Sequence, residues 1–302
     1  MDLNPDVVFG KARASVIGCE GEIHDVVEST MDTARRLAAK GVPDGYVVLA
    51  EEQRSGRGRT GAWECRRGDG ILMSVVLRLA VRADERRLIA TLGAVSAAEA
   101  VQHFGPDAKI KWPNDVVVLV RGDTPQGPEE SGAGPPRQPR IAPPFRKMGG
   151  VLVESATCKG DSAPAHLLGI GLNVNQDRRR LPACAESEEA GRGGLPATSV
   201  KIELGRQVDR SELCRILLGR LDHWYGRLRH GRAEALLARW RTLSCLMGES
   251  VRAVVRTSAN SVEPGRAVIG KVIGLRATGE LILQPPEGGE LLLREHEAKL
   301  IF

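Results

Sequence analysis

Gly56-Arg57-Gly58-Arg59-Thr60-Gly61 alternates glycine with cationic side chains. It spells G-x-G-x-x-G after an apolar run, as a dinucleotide fingerprint does. Such a fingerprint must continue into a helix, with an acidic residue about 20 positions on. Ala62-Trp63-Glu64-Cys65-Arg66-Arg67-Gly68-Asp69-Gly70 follows instead, and then another strand-like run, which excludes that reading. The same residues suit an anion differently. The glycines expose backbone N–H groups, and the arginines present guanidinium forks. Lys111-Trp112-Pro113-Asn114-Asp115, placed at a strand edge, gathers a cation, an amide and a carboxylate. In Lys147-Met148-Gly149-Gly150-Val151-Leu152-Val153-Glu154 a lysine precedes two glycines, which let backbone approach a ligand closely. Gly169-Ile170-Gly171-Leu172-Asn173-Val174-Asn175 places glycines inside a strand, where they mark a close contact. Neutral donors and acceptors with a few fixed cations are the equipment for holding an anion and stabilising charge that develops on it.

Recognisable elements must carry these groups. Ser29 and Asp32 fit a capping box at the start of a helix, with Ala34, Leu37 and Ala38 on its apolar face and Gly41 and Pro43 at its end. Residues 46–50, 71–79, 116–120, 150–154 and 167–173 read as strands, and 88–104, 211–229 and 234–241 as helices. From Gly248 short β-rich runs alternate with turns at Gly279 and Gly288-Gly289: 250–256, 268–276, 280–284, 290–294 and 297–302. They predict a small β-barrel, with a domain boundary near Leu246 that divides the chain into 1–246 and 247–302. Residues 121–146 hold seven Pro and four Gly and predict a flexible surface insertion. Residues 176–196 read as a second polar loop.

Composition excludes several classes. The chain has 302 residues, 42% hydrophobic and 27% charged, enough for a full core without staples. Aromatics are only 3%, so Leu, Val, Ile and Ala must build that core. The densest apolar run, 71–77, stops at Arg78, far short of the ~18 residues of a membrane span. The first ten residues carry two Asp and no basic cluster, which argues against a secretory signal and for a cytoplasmic location. The net charge of +5 arises from acids and bases mixed along the chain, unlike the clustered basic face of a nucleic-acid protein. None of the six Cys forms a C-x-x-C pair, which argues against zinc and for free thiols in a reducing compartment.

In order and combination these motifs resemble the biotin protein ligase family, specifically the biotin–[acetyl-CoA-carboxylase] ligases. The resemblance rests on Ser29 to Asp32, E-Q-R-S-G-R-G-R at 52–59, Trp63, K-W-P-N-D at 111–115, K-M-G-G-V-L-V-E at 147–154, G-I-G-L-N-V-N at 169–175 and Ala197-Thr198-Ser199. G-K-V-I-G-L and G-E-L-I-L at 270–283 are similar to that family's small C-terminal barrel. The resemblance implies an α+β fold: a mixed β-sheet flanked by helices, of the class II aminoacyl-tRNA synthetase-like, biotin–lipoate ligase type, followed by an SH3-like β-barrel. It implies an ATP-dependent ligase that makes biotinyl-5′-AMP from biotin and Mg2+-ATP. The biotinyl group then passes to a lysine of a biotin carboxyl carrier protein. Lys147, Arg57, Arg59, Lys111 and Asp115 become the expected catalytic residues. Ser29, Thr30, Met31 and Gln53 fall at positions facing the ureido ring. Gly56, Arg57, Gly58, Arg59, Asn114, Lys147, Gly150 and Asn173 fall on the loop and nucleotide sides. No metal ligands are assigned. No specific DNA and no membrane are implied as partners, and a homodimer is allowed.

The chain departs from the family pattern in places. It has one residue fewer around Ala62, where members carry a further arginine, which weakens the case for a third loop arginine. Met31 stands where many members have Asn. The 121–146 insertion replaces a short turn. Only 28 residues precede Ser29, too few for the DNA-binding domain of bifunctional members. The nearest competitor, a lipoate ligase or octanoyltransferase, shares the fold, but the G-R-G-R loop and the C-terminal barrel favour biotin.

Deleting residues 122–144 is expected to leave biotin transfer within about threefold of wild type, since lengthening a loop costs only about 0.6 kcal/mol per doubling. A drop of more than about tenfold in a folded variant, equivalent to ~1.4 kcal/mol, would make the segment a functional element.

Overall fold

Gly70–Leu77 is buried at every position. A strand reaches that state inside a sheet covered on both faces. The structure, a computed structural model, describes residues 2–10, 15–58, 61–79, 86–119, 145–157, 164–181, 195–255, 266–295 and 298–301. In chain order its elements are α1 (Pro5–Val8), β1 (Gly21–Val27), α2 (Thr30–Lys40), β2 (Tyr46–Gln53), β3 (Gly70–Leu77), α3 (Arg87–His103), β4 (Ala108–Lys111), β5 (Asp115–Leu119), β6 (Phe145–Ala156), β7 (Ala165–Asn173), α4 (Val200–Leu204), α5 (Arg210–Arg229), α6 (Ala233–Leu243), β8 (Ser250–Val255), β9 (Arg266–Leu275), β10 (Leu281–Gln284), β11 (Leu291–Leu293) and β12 (Ala298–Ile301).

The first sheet has the order β1-β2-β3-β7-β6-β5-β4. β1 and β2 are parallel, and the other neighbours are antiparallel. Parallel neighbours need a crossover, and α2 supplies it. The two-residue period of the strands sorts their side chains. Ile71, Met73, Val75 and Leu77 of β3, with Leu168, Ile170 and Leu172 of β7, join the large core that includes α3 and α5. Val48, Val76 and Leu167 lie with Met31, Ala34 and Ala38 of α2 on the opposite face. α3 is buried along nearly its whole length, because it runs beside the sheet and also touches α5 and α6. The expected mixed sheet with flanking helices is therefore present.

β8 to β12 form a separate antiparallel sheet in the order β11-β10-β9-β8-β12, consistent with an SH3-like domain. Its junction with the first sheet involves the K-W-P-N-D segment. Trp112, 3% exposed, donates from Nε1 to the Gly279 carbonyl at 3.2 Å. Gly279 has φ 84° in the β9–β10 turn, and a Cβ there would lie 2.4 Å from Arg87. Both conditions require glycine.

Some expectations change. Ser29 is the N-cap of α2, but its side chain makes no capping bond, so the capping box is not formed. Lys111 ends one strand and Asp115 begins the next, so K-W-P-N-D is the turn of a hairpin. Phe145 and Arg146 belong to β6 and not to the insertion; residues 120–144 lie outside the described residues. The second polar loop contains a 3-10 turn at Arg178–Arg180, and residues 182–194 lie outside the description. β2 continues past Ala50 to Gln53. α1, β1, β4 and α4 are further elements that the sequence pattern does not signal.

Glu51 and Arg210 form a buried ion pair at 2.6 Å, each with its side chain no more than 3% exposed. Glu51 also accepts from the Leu3 backbone N–H, and Arg210 donates to the Gly70 carbonyl at 3.1 Å. The N-terminal segment, β2, β3 and α5 thus meet at one pair of charges. Arg210→Met is expected to cost about 3–5 kcal/mol in urea unfolding, because it leaves a buried carboxylate without its cation. Adding Glu51→Leu should restore most of the loss; a cost under ~1 kcal/mol for the single variant would contradict this account.

Candidate functional site

The extra residues at the end of β2 bring Gln53 beside the start of α2. Gln53 Oε1 accepts from the Thr30 backbone N–H at 2.9 Å and from Thr30 Oγ1 at 3.2 Å. Its Nε2 donates to the Trp63 carbonyl at 2.9 Å. Ser74 of β3 donates to Thr30 Oγ1 at 2.9 Å. Ser29 is 2% exposed, and its hydroxyl makes no capping bond to the helix. This end of the site is hydrogen-bonding but uncharged.

The glycine–arginine segment leaves β2 as a narrow hairpin. Gln53 and Cys65 exchange backbone bonds of 3.0 and 3.1 Å, Trp63 N donates to Gly56 O at 2.7 Å, and Gly58 N donates to Gly61 O at 2.7 Å. A Cβ at Gly56 would stand 1.8 Å from Gln53 Nε2, so glycine lets the hairpin close over that amide. Two glycines of β7 do the same for the floor. A Cβ at Gly169 would meet Met31 Sδ at 2.8 Å, and one at Gly171 would meet Trp63 Nε1 at 2.3 Å. The Trp63 indole therefore lies directly on the strand.

The other end carries charge. Lys147 Nζ lies 2.6 Å from Asp115 Oδ1 and 5.8 Å from the centre of the Trp63 ring. Its backbone is gripped from the side: Lys147 N donates to Pro196 O at 2.7 Å, and Thr198 N donates to Lys147 O at 2.8 Å. Asn114 clamps the next peptide. Its carbonyl accepts from Val151 N at 3.1 Å, and its Nδ2 donates to Val151 O. Asn114 Oδ1 is buried without a partner among the described residues. Asn173 donates to Thr198 O at 3.0 Å and accepts from Gln176 Nε2 at 3.1 Å.

These groups surround one cavity of about 410 Å³, within the ~300–1,000 Å³ typical of small-molecule sites. Apolar walls from Leu72, Leu152, Ile170 and Leu195 join the uncharged end to the charged one. Arg57 pairs with Asp32 and Glu154, and its hydrogen bonds hold both carboxyls below their usual range. Burial pushes the nearby Cys65 thiol up to about 12, so it is protonated at neutral pH and no nucleophile.

The cavity brings together Ser29, Thr30, Met31, Gln53, Arg57, Gly58, Asn114, Asp115, Lys147, Gly150 and Asn173. Gly56 supports the hairpin from behind the lining. Arg59 lies outside the described residues. Lys111 is the exception: it does not line the cavity. Lys109 and Lys111 alternate with the buried Ile110 and share the other face of β4. The Arg57 guanidinium was expected on an anionic ligand and is instead engaged by carboxylates. The motif includes Trp63 without revealing its place over Gly171, and Leu195 and Ala197 add walls that no sequence motif assigns to the site. The clue for Trp63 was the glycine pattern of β7, which calls for a bulky neighbour.

A comparison with protein families matches residues 23–175 to the biotin/lipoate A/B protein ligase family. The chain belongs to that family. The match contains every polar residue of the cavity wall from Ser29 to Asn173. Among curated proteins of the family, the chain is 28% identical over 286 residues to the bifunctional ligase/repressor BirA of Bacillus subtilis strain 168, covering 94% of this chain and 74% of the relative. It is 27% identical over 270 residues to the biotin–[acetyl-CoA-carboxylase] ligase of Paracoccus denitrificans, covering 88% and 94%. A solved structure of the Aquifex aeolicus biotin protein ligase, in complex with biotin and ATP, superposes with a TM-score of 0.65 at 23% identity, covering 93% of this chain and 98% of that one. At that identity the likeness establishes the fold.

Gly171→Ala is expected to displace the Trp63 indole from β7, since the new methyl would overlap it. The other tryptophans, Trp112, Trp224 and Trp240, are buried, so acrylamide quenching of the fluorescence reports on Trp63. Stronger quenching in the folded variant is the expected outcome; quenching equal to wild type would mean the contact does not exist in solution.

Proposed function

We propose that the chain is an ATP-dependent biotin protein ligase. The observation that carries this reading is a cavity with neutral hydrogen-bonding groups at one end and a lysine at the other. A ureido ring presents neutral N–H and C=O groups, which Ser29, Thr30 and Gln53 can match. A lipoyl dithiolane presents none of them. The apolar walls suit an aliphatic chain, whose carboxylate would then reach Lys147.

In the first step a biotin carboxylate oxygen attacks the α-phosphorus of ATP. The bond to the bridging oxygen breaks, and pyrophosphate leaves. The reaction brings two anions together, so a fixed cation in a partly desolvated site lowers the barrier. Lys147, steered by Asp115 and held by the Pro196–Thr198 backbone, supplies that cation. In the second step the amine of an acceptor lysine attacks the carbonyl of the mixed anhydride, AMP leaves, and the nitrogen sheds a proton. Asp115 is the carboxylate at this end of the wall and the proton's first acceptor. The biotin carboxyl carrier protein is the acceptor in this reading, in line with the name of the Paracoccus relative. Magnesium is commonly held by one or two carboxylates plus substrate phosphates. Asp115 and the unpartnered Asn114 Oδ1 are the oxygens here that fit it, and the ion would neutralise phosphate charge. The Trp63 indole and the hairpin beneath it would keep water from the anhydride.

Lys147→Ala is expected to lower biotin-dependent pyrophosphate exchange into ATP by about a hundred- to a thousandfold, the usual cost of removing one group aimed at developing charge. Its unfolding temperature should stay near that of wild type. Exchange within about threefold, under ~1 kcal/mol, would remove Lys147 from the mechanism.

A further inference from the structure

Arg57 divides its guanidinium between two carboxylates on different elements. Nη1 and Nη2 donate to the two oxygens of Asp32 at 3.0 and 2.6 Å. Nε and Nη2 donate to the two oxygens of Glu154 at 3.0 and 3.3 Å. Arg35 continues the pattern, with Nη2 on Glu154 at 2.5 Å and Nη1 on the Ser155 carbonyl at 2.8 Å. Asp32, Arg57, Glu154 and Arg35 thus form an alternating cluster without net charge.

The cluster joins three parts of the cavity wall. Asp32 sits in the first turn of α2, where the helix dipole favours an anion, one residue after Met31. Glu154 lies on β6, four residues beyond Gly150. Arg57 begins the hairpin and pairs across it with Ala62. With each guanidinium nitrogen directed at a carboxylate, little of the fork is left for a phosphate. The geometry points to Arg57 as a positioning residue: its clasp with Asp32 and Glu154 fastens the strand of the hairpin at Gly56–Gly58 to α2 and β6 and so sets the shape of the ligand cavity. This inference rests on the ligase reading for what the cavity holds, though not for the clasp itself.

The two carboxylates make the test decisive, because neither would itself grip an ATP phosphate. Asp32→Asn and Glu154→Gln would each be measured twice, Arg57→Ala and Arg57→Lys by pyrophosphate exchange alone. Without substrate, tryptic cleavage after Arg57 follows release of its side chain from the two carboxylates. Asp32→Asn and Glu154→Gln are each expected to speed cleavage about tenfold, the effect of ~1.4 kcal/mol on an opening equilibrium. In biotin-dependent pyrophosphate exchange, the two variants should reproduce Arg57→Ala. KM for biotin should rise about tenfold while kcat stays within about threefold, the signature of lost binding and not of lost chemistry. Arg57→Lys should fall between wild type and Arg57→Ala, since an ammonium cannot bridge both carboxylates bidentately. The inference is overturned if Asp32→Asn and Glu154→Gln match wild type in both assays while Arg57→Ala loses kcat. Arg57 would then act on the phosphates directly. A wild-type protein without exchange activity would sink the ligase reading alone, and the cleavage assay would still decide the clasp.

Discussion

An ammonium and a carboxylate lie 2.6 Å apart where β6 meets the turn before β5, and most of the surrounding architecture holds that pair in place. Lys147 is fixed through its backbone by Pro196 and Thr198, which lie far along the chain. Asp115 is fixed as the first residue of β5, opposite Gly150 in register. Asn114 ties the preceding turn to Val151 through both its backbone and its side chain. Trp112 carries the same turn into the second sheet. A shift in any of these parts moves the pair. A fixed cation is useful for charge stabilisation because it needs no reorganisation as the reaction proceeds.

Around Thr30 the cavity is lined by neutral polar groups. Thr30, Gln53 and Ser74 satisfy one another through a short network of neutral bonds, which lets polar groups remain buried next to apolar walls. Glycines at 169 and 171 remove side chains from the floor, and Met31 and Trp63 take up the space. The arginine cluster around Glu154 lies at the hairpin and helix that cover the cavity, so the covering elements are held by ion pairs and the floor by packing.

Much of this was legible in the chain. Ile71 to Leu77 read as a buried strand because nothing polar but Ser74 interrupts it. The α2 helix was signalled by Gly41, which does adopt the left-handed conformation, at φ 87°. What could not be read was non-local. Asp32 looked like a capping residue, because a local motif is visible and a partner 25 residues away is not. β1 was missed because its side chains are only half-buried at the sheet edge and its parallel pairing to β2 skips a helix. The K-W-P-N-D motif puts Lys111 with Asp115, whereas strand alternation sends its side chain elsewhere. Residue type and motif both point Arg57 at an anion, and only the fold reveals the two carboxylates that engage it.

In the proposed reaction one cavity activates biotin and hands it to a protein lysine. Transfer of labelled biotin to a recombinant biotin carboxyl carrier domain, with and without magnesium and ATP, tests it most directly. Label is expected on the carrier only when ATP is present, and none when the carrier's acceptor lysine is replaced by arginine. An unlabelled carrier after long incubation with ATP, or labelling that proceeds equally without it, would contradict the account.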